Sequence, residues 1–227
     1  MKYLVLIALI FSGCESIPVT ELDVETAAKE IQVQRIALYW ENTTEKHDER
    51  KPWSDLIVKH FRDNLSTYNQ AGDITSFCPK YKTLRDDQKI KAWGELIVGM
   101  IYYESGFKPT SWMIEPMGID PVTGKTVKSE GLLQLSYQDM KNYGSITKGC
   151  GIDWSKDKLL TQNDPKKTIF NPLINLECGL RIFKNQITKK KLVVVPSGPY
   201  WAVLYKGKHP KITEIAARVQ KHAGGCK

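Results

Sequence analysis

A glutamate, Glu104, occupies a position on a predicted helix where the periodic pattern has hydrophobic residues. The residues that share its face at the helical period are apolar: Trp93, Ile97, Met100 and Ile101. Gly106 and Pro109 follow, so the helix is predicted to end with Glu104 in its last turn. A carboxyl group held against apolar side chains resists ionisation and stays protonated near neutral pH. Such a group is suited to donating a proton to a leaving oxygen.

A second unusual segment is the run Gly131-Leu132-Leu133-Gln134-Leu135. The amide of Gln134 offers both a hydrogen-bond donor and an acceptor to a ligand. Gly131 would let a ligand approach the backbone closely, because it has no side chain. The alternative interpretation is that the leucines are core residues with one hydrogen-bonded amide among them.

The elements that would position these residues are predicted to be mostly helical. Ser54 is a candidate N-cap for one helix, and Asn171-Pro172 opens another. Ser136, followed by Asp139, predicts the capped start of a short helix. Residues 106–130 are rich in glycine and proline, which predicts a long loop or a small hairpin around residues 121–124. We therefore predict one mainly α domain, or an α+β domain with at most a small hairpin.

Three segments in this order carry a resemblance to a known family. They are Glu104-Ser105-Gly106-Phe107, the Gly131–Leu135 run, and Asn171-Pro172 with Gly179 after it. Together they resemble the soluble lytic transglycosylase and goose-type lysozyme group of the lysozyme-like superfamily, over about residues 90–205. The resemblance implies a lysozyme-like, mainly α fold. It also implies cleavage of the β-1,4 bond between N-acetylmuramic acid and N-acetylglucosamine in peptidoglycan, or in a modified form such as deacetylated glycan.

The same resemblance implies roles for individual residues. Glu104 would be the general acid and then the base, either forming a 1,6-anhydro product or activating water. Gly131, Leu133 and Gln134 would line the saccharide cleft. Ser105 would orient Glu104 or meet the substrate, with a water-facing position at the helix end as the equal alternative.

A tyrosine that hydrogen-bonds the catalytic glutamate belongs to an Ala-Tyr-Asn run in that group. Here the nearest segment contains Tyr200 and Tyr205, and neither is followed by asparagine. Either tyrosine could take the role, and this departure leaves two questions open. The cleft could prefer a modified glycan, or the chain could be a non-catalytic cell-wall-binding lipoprotein on the same fold.

A second carboxylate near Glu104 would favour hydrolysis over transglycosylation, because it could hold the attacking water. Glu130, next to Gly131, is the first candidate. Asp120 and Glu115 in the preceding loop are weaker candidates for the same task.

The N-terminal residues predict export. Lys2 precedes a short apolar stretch that is too short to span a membrane and is followed by Gly13-Cys14. Residues 1–13 resemble a bacterial lipoprotein signal, with Cys14 as the lipid-bearing residue. Residues 14–50 are then expected to be a tether and extension, and residues 51–227 the catalytic domain. We expect a lipid-anchored envelope protein, facing the periplasm from the outer membrane.

Charge and cysteine content fit that compartment. The net charge of +8 favours an anionic partner, and an exported chain has peptidoglycan or a membrane surface available instead of nucleic acid. Four cysteines remain beside Cys14, and an even number in an oxidising compartment predicts two disulfides with three possible pairings: Cys78, Cys150, Cys178 and Cys226. The histidines have no metal-ligand spacing, so we expect no metal. We also expect a monomer that uses no cofactor.

Overall fold

The computed structural model describes residues 34–43, 46–207 and 211–227. Over these residues the fold is mainly helical with one small antiparallel sheet, which confirms the predicted fold class. The longer helices are α1 (His47–Tyr68), α2 (Asp86–Ser105), α6 (Pro172–Lys190) and α7 (Lys211–His222). The strands are β1 (Trp112–Ile119) and β2 (Thr126–Glu130), and the short helices are α3 (Asp139–Asn142), α4 (Gly144–Thr147) and α5 (Trp154–Asp157).

The signal segment, Cys14 and most of the predicted tether lie outside the described residues. Within the described part of the chain, no helix is both long and apolar enough to cross a membrane.

The central helix is α2, which carries Glu104 at its C-terminal end. Asp86 and Asp87 lie in its first turn, where negative charge complements the helix dipole. Gly106 ends the helix in the left-handed conformation, with φ of 59°, and its N–H bonds to Tyr102. The helix packs against α1 and α7, and its middle turns are fully buried. This confirms the predicted helix and its end, and it anchors the backbone of Glu104 in the core.

A compact unit begins at Ile36, within the stretch predicted as tether and extension. Leu38 and Trp40 are fully buried in its core. The predicted N-cap at Ser54 is wrong, because α1 already begins at His47. Ser54 instead lies inside α1, buried, where its hydroxyl accepts a hydrogen bond of 2.7 Å from the Trp40 indole. The burial of Trp40 and Ser54 could not be predicted, because the sequence around them is rich in charged residues.

The hairpin predicted around residues 121–124 is present. β1 pairs antiparallel with β2, with Trp112 opposite Glu130 and Ile119 opposite Thr126. Asp120 shapes the connection by accepting hydrogen bonds from the N–H groups of Val122 and Thr123. Successive side chains of a strand point to opposite faces of the sheet, so each strand presents one set of residues to each side.

Two disulfides are present, as the cysteine count predicts, and the structure selects one of the three pairings. Cys78 bonds to Cys226, which fastens the chain's C-terminus to the loop after α1. Cys150 bonds to Cys178, which ties the loop after α4 to α6.

Removal of the longer-range disulfide is expected to destabilise the domain. A Cys78→Ser, Cys226→Ser variant should lose about 2–5 kcal/mol of unfolding free energy, because the cross-link restrains a long loop in the unfolded chain. Urea unfolding measured by circular dichroism would test this, with reduced wild-type protein as the comparison. Unchanged stability in the variant would contradict it.

Candidate active site

A cleft of about 1000 Å³ opens beside the C-terminal end of α2. The hairpin forms one wall and the segment around residues 197–205 forms the other. Glu104 lies between them, and the polar groups of the turn after β2 complete the lining. The hairpin wall presents Met113 and Met117, which are 51% and 63% exposed. The cleft therefore combines polar groups with apolar surface that could contact the flat faces of sugar rings.

Glu104 is held in a desolvated position within this cleft. Its Oε1 atom is buried and has no hydrogen-bond partner. Burial, and to a smaller extent the negative charge of Glu115, raises the pKa of Glu104 to about 7. At neutral pH a large fraction of Glu104 is protonated, which is the state a general acid requires.

Glu115 is the second carboxylate that faces Glu104. It lies on β1 between Met113 and Met117, and strand alternation directs all three toward the cleft. Ser129 on β2 donates a hydrogen bond of 2.6 Å to its Oε1 atom, which fixes its position on the cleft wall. From the sequence, Glu115 was only a weaker candidate for the second carboxylate, because its strand face depends on the register of the hairpin.

Glu130, the first candidate for a second carboxylate, lies outside this cleft. Its neighbour Ser129 faces the cleft, so alternation directs Glu130 to the opposite face of the hairpin. There it is buried and ion-paired with Lys167 at 3.2 Å, and Gln162 donates to it at 2.9 Å. The expectation for Glu130 is corrected: its carboxylate belongs to a buried ion pair, which needs its partner to offset desolvation.

Asp120 is likewise excluded from the cleft. Besides bonding the hairpin turn, its carboxylate accepts a hydrogen bond of 2.9 Å from the N–H of Gln138. Its oxygens are therefore used to connect the hairpin to the start of α3.

The run from Gly131 to Gln134 forms a tight turn held by Asn175 of α6. The N–H of Leu133 donates to the Asn175 Oδ1 atom at 2.8 Å. The Asn175 Nδ2 group donates to the carbonyls of Glu130 and Ile169 at 3.1 and 3.0 Å. Asn175 is completely buried, and only its place in the helix that follows Asn171-Pro172 could be predicted from the sequence.

Within this turn, Gln134 reaches the cleft and the other predicted residues do not. Gln134 lines the cleft and its Nε2 group bonds to the Gly131 carbonyl at 2.7 Å. Gly131 has φ of 84°, and a side chain there would overlap Asn175. The absence of a side chain at Gly131 therefore makes room for Asn175 and not for a ligand. Leu133 is fully buried in the core.

Ser105 is buried and is not part of the cleft lining. Its hydroxyl donates to the Ile101 carbonyl of its own helix at 3.1 Å. The expectation that Ser105 faces water is therefore wrong, whereas a role in orienting Glu104 or meeting the substrate stays a prediction.

Both candidate tyrosines line the cleft, but Tyr200 bonds to a different carboxylate than expected. The Tyr200 hydroxyl donates to Asp139. Tyr205 lies further along the same wall, where its backbone bridges to Val195. The capping role predicted for Asp139 is confirmed, since the Ser136 N–H donates to its carboxylate at 2.7 Å. Its second role, accepting the hydrogen bond of the Tyr200 hydroxyl, depends on the tertiary structure.

Among the described residues, no group of three or more histidine, cysteine or acidic side chains is arranged to hold a metal ion. The fold and site thus define a mainly α protein whose cleft holds a desolvated carboxyl group with a raised pKa and a second carboxyl group.

Three solved structures of DslA (Bd0314) from Bdellovibrio are similar to this chain. The wild-type structure aligns with a TM-score of 0.63 at 26% identity, covering 85% of this chain and 98% of that one. The other two each carry one glutamate-to-glutamine substitution and align with TM-scores of 0.64, at 26% and 25% identity and with the same coverage. No protein-family profile and no curated protein sequence matches the chain.

Proposed function

We propose that this chain is a glycosidase that cleaves the glycan strands of peptidoglycan, with Glu104 as general acid. The observation that carries the proposal is the desolvated carboxyl group of Glu104 facing Glu115 across one cleft. The lysozyme-like resemblance of the motifs and the similarity to DslA support the same class of enzyme.

The pattern of substitutions in DslA supports the choice of this pair. The two substituted glutamates of DslA lie 11 positions apart along that chain. Glu104 and Glu115 are separated by the same 11 positions here. Two glutamates at this spacing, one at a helix end and one on the following strand, are therefore the groups we assign to catalysis.

In the proposed reaction, Glu104 donates its proton to the oxygen of the glycosidic bond as the bond to the anomeric carbon breaks. Positive charge then develops on the sugar ring, and the carboxylate of Glu115 stabilises it and orients a water molecule. That water attacks the anomeric carbon and transfers its proton to the carboxylate of Glu115, which gives a new reducing end. A second carboxylate in the cleft thus favours hydrolysis, as in a lysozyme, over formation of a 1,6-anhydro product.

The charge of the cleft favours glycan with free amino groups. Glu115 and Asp139 both line it and both are acidic. A deacetylated sugar carries a protonated amine that these carboxylates would attract, whereas an acetylated sugar is neutral at that position. We therefore propose that deacetylated peptidoglycan is the preferred substrate.

The location of the protein remains a proposal from its N-terminal sequence. We propose an exported monomer anchored by lipid at Cys14 to the outer membrane, facing the periplasm and acting without a cofactor or nucleic acid. Mass spectrometry of the mature N-terminus would test the anchor, and an unmodified Cys14 would contradict it.

Digestion of purified peptidoglycan, native and chemically deacetylated, tests the proposed function. We expect reducing-end muropeptides by mass spectrometry, with faster release from deacetylated glycan. Anhydro-muropeptides would instead make the chain a lytic transglycosylase. Binding of both glycans without cleavage would contradict the enzyme and favour the alternative, a cell-wall-binding protein that keeps the cleft.

Replacement of Glu115 with glutamine is expected to lower the rate of cleavage by about 10²-fold, because the amide cannot take a proton from water or stabilise positive charge. Initial rates of muropeptide release would measure this. Glu49→Gln, an exposed glutamate on α1, is the matched control and should leave the rate unchanged. Equal rates for the Glu115 variant and wild type would remove Glu115 from the reaction.

A further inference from the structure

The Tyr200 hydroxyl is engaged by a carboxylate other than the proposed acid. Asp139 is 3% exposed, and its Oδ2 atom accepts from the Tyr200 hydroxyl and from both the N–H and the hydroxyl of Ser136. In this arrangement the Tyr200 hydroxyl, the Ser136 N–H and the Ser136 hydroxyl each donate to Asp139. The single hydrogen of the Tyr200 hydroxyl therefore points toward Asp139.

Glu104 lies in the same cleft and receives no such donor. Its buried Oε1 atom has no hydrogen-bond partner, although Tyr200 is close enough for the charge of Glu104 to act on it. A hydroxyl that donated to Glu104 would stabilise the ionised form and lower its pKa. Withholding that hydrogen leaves desolvation and the charge of Glu115 as the principal influences on the Glu104 pKa.

We propose that Asp139 is a positioning residue that holds the Tyr200 hydrogen away from Glu104 and thereby keeps the acid protonated. This inference deepens the proposed function, since it rests on Glu104 being the general acid. It also accounts for the departure from the Ala-Tyr-Asn run, because here the tyrosine is oriented by a carboxylate on α3 and not by the glutamate.

The other titratable groups around this cluster do not supply the missing hydrogen bond. Glu115 faces Glu104 from β1 and disfavours its ionisation. Tyr143 packs against Tyr200, and burial together with the charge of Asp139 raises the pKa of Tyr143. Burial raises the pKa of Asp139, and the charge of Asp120 on the hairpin side acts in the same direction. Tyr205 is the third tyrosine that lines the same cleft, beside Tyr143 and Tyr200.

A titration of Glu104 by carboxyl ¹³C NMR tests the proposal without any measurement of activity. The Glu104 signal is assigned by its absence in Glu104→Gln. We expect Asp139→Ala to lower the Glu104 pKa by about one unit, because the freed Tyr200 hydroxyl can then donate to Glu104. Tyr200→Phe alone should leave the Glu104 pKa nearly unchanged, and the double variant should abolish the decrease.

Asp139→Asn is the matched control, since it keeps an acceptor oxygen for Tyr200 and removes only the charge. It should shift the Glu104 pKa less than Asp139→Ala does. An equal shift in the two variants, or a decrease that persists without the Tyr200 hydroxyl, would show that the charge of Asp139 acts directly and would overturn the proposal.

Tyr200→Phe keeps the test decisive if Asp139→Ala does not fold. A rise in the Glu104 pKa in this variant would show that Tyr200 already donates to Glu104, which would overturn the proposal by itself. Because these titrations do not require cleavage, a failure of the proposed enzyme activity remains distinguishable from a failure of the positioning role.

Discussion

Glu104→Gln is expected to lower the rate of glycan cleavage by about 10³-fold while leaving binding nearly intact. Glutamine has the same shape as glutamic acid but cannot transfer a proton to the leaving oxygen, and a positioned acid contributes about 10²–10⁴-fold. The measurement is the rate of muropeptide release from deacetylated peptidoglycan, together with the amount of the variant that sediments with insoluble glycan. Normal cleavage by the variant would remove Glu104 from the mechanism.

The wild-type pH profile should follow the ionisation of the same group. Because Glu104 has a pKa of about 7, cleavage should decline as pH rises through 7, when the acid loses its proton. The Glu115→Gln variant should move this decline to lower pH, since the charge of Glu115 helps to raise the Glu104 pKa. A decline near pH 4.5 in the wild type would contradict the desolvated environment.

Protein stability should also decline as pH rises, and Glu104→Gln should affect stability in the opposite sense from activity. The folded-state pKa of Glu104 is raised from 4.5 to about 7, so the folded state binds the proton more tightly than the unfolded chain. This group therefore lowers stability progressively as pH rises from about 4.5 to 7, by at most about 3 kcal/mol. Glu104→Gln removes that penalty, so its melting temperature at pH 8 should not fall below that of the wild type.

Asn175→Ala is expected to have the largest effect on stability, a loss of about 3–5 kcal/mol. The substitution leaves the Leu133 N–H and the carbonyls of Glu130 and Ile169 without their partner in a fully buried position. Each unpaired buried group costs about 1–3 kcal/mol, although water entering the space would recover part of it. Urea unfolding would give the free energy directly.

Asn64→Ala is a suitable control for that substitution. Its amide bonds to the His60 carbonyl within α1, in a part-buried position, so its loss should cost about 1 kcal/mol or less. If the Asn175 variant were no less stable than this control, the turn would not depend on the buried amide. In a folded fraction of the Asn175 variant, activity should also fall, because Gln134 lies on the turn that Asn175 holds.

The helices and their ends could be predicted from the sequence because their causes are local. The C-terminal end of α2 follows from Gly106, which adopts the left-handed conformation that ends a helix. The start of α6 follows from Asn171, whose side chain accepts from the N–H groups of Leu173 and Ile174, with Pro172 at the first position. The position of Glu104 on an apolar helix face also follows from local periodicity, and it predicted a desolvated carboxyl group.

The partners of these groups could not be predicted, because they depend on strand register and on contacts between distant segments. A shift of one residue along a strand moves a side chain to the other face of the sheet, so Glu130 and Glu115 could not be distinguished from the sequence. The pairing of Cys78 with Cys226 joins residues separated by 148 positions. The Tyr200–Asp139 bond likewise joins segments that are far apart in sequence.

The sequence by itself thus determined the mainly α class, the helix that carries Glu104, and the turn signals around the cleft. Each of these depends on interactions within a few residues along the chain. The tertiary structure alone decided that Glu115 faces Glu104, that Glu130 is paired with Lys167, and that Asp139 holds Tyr200. Those outcomes follow from packing between the hairpin, α2 and the segment near the C-terminus. This packing determines which face of each strand or helix lines the cleft, and local sequence patterns do not.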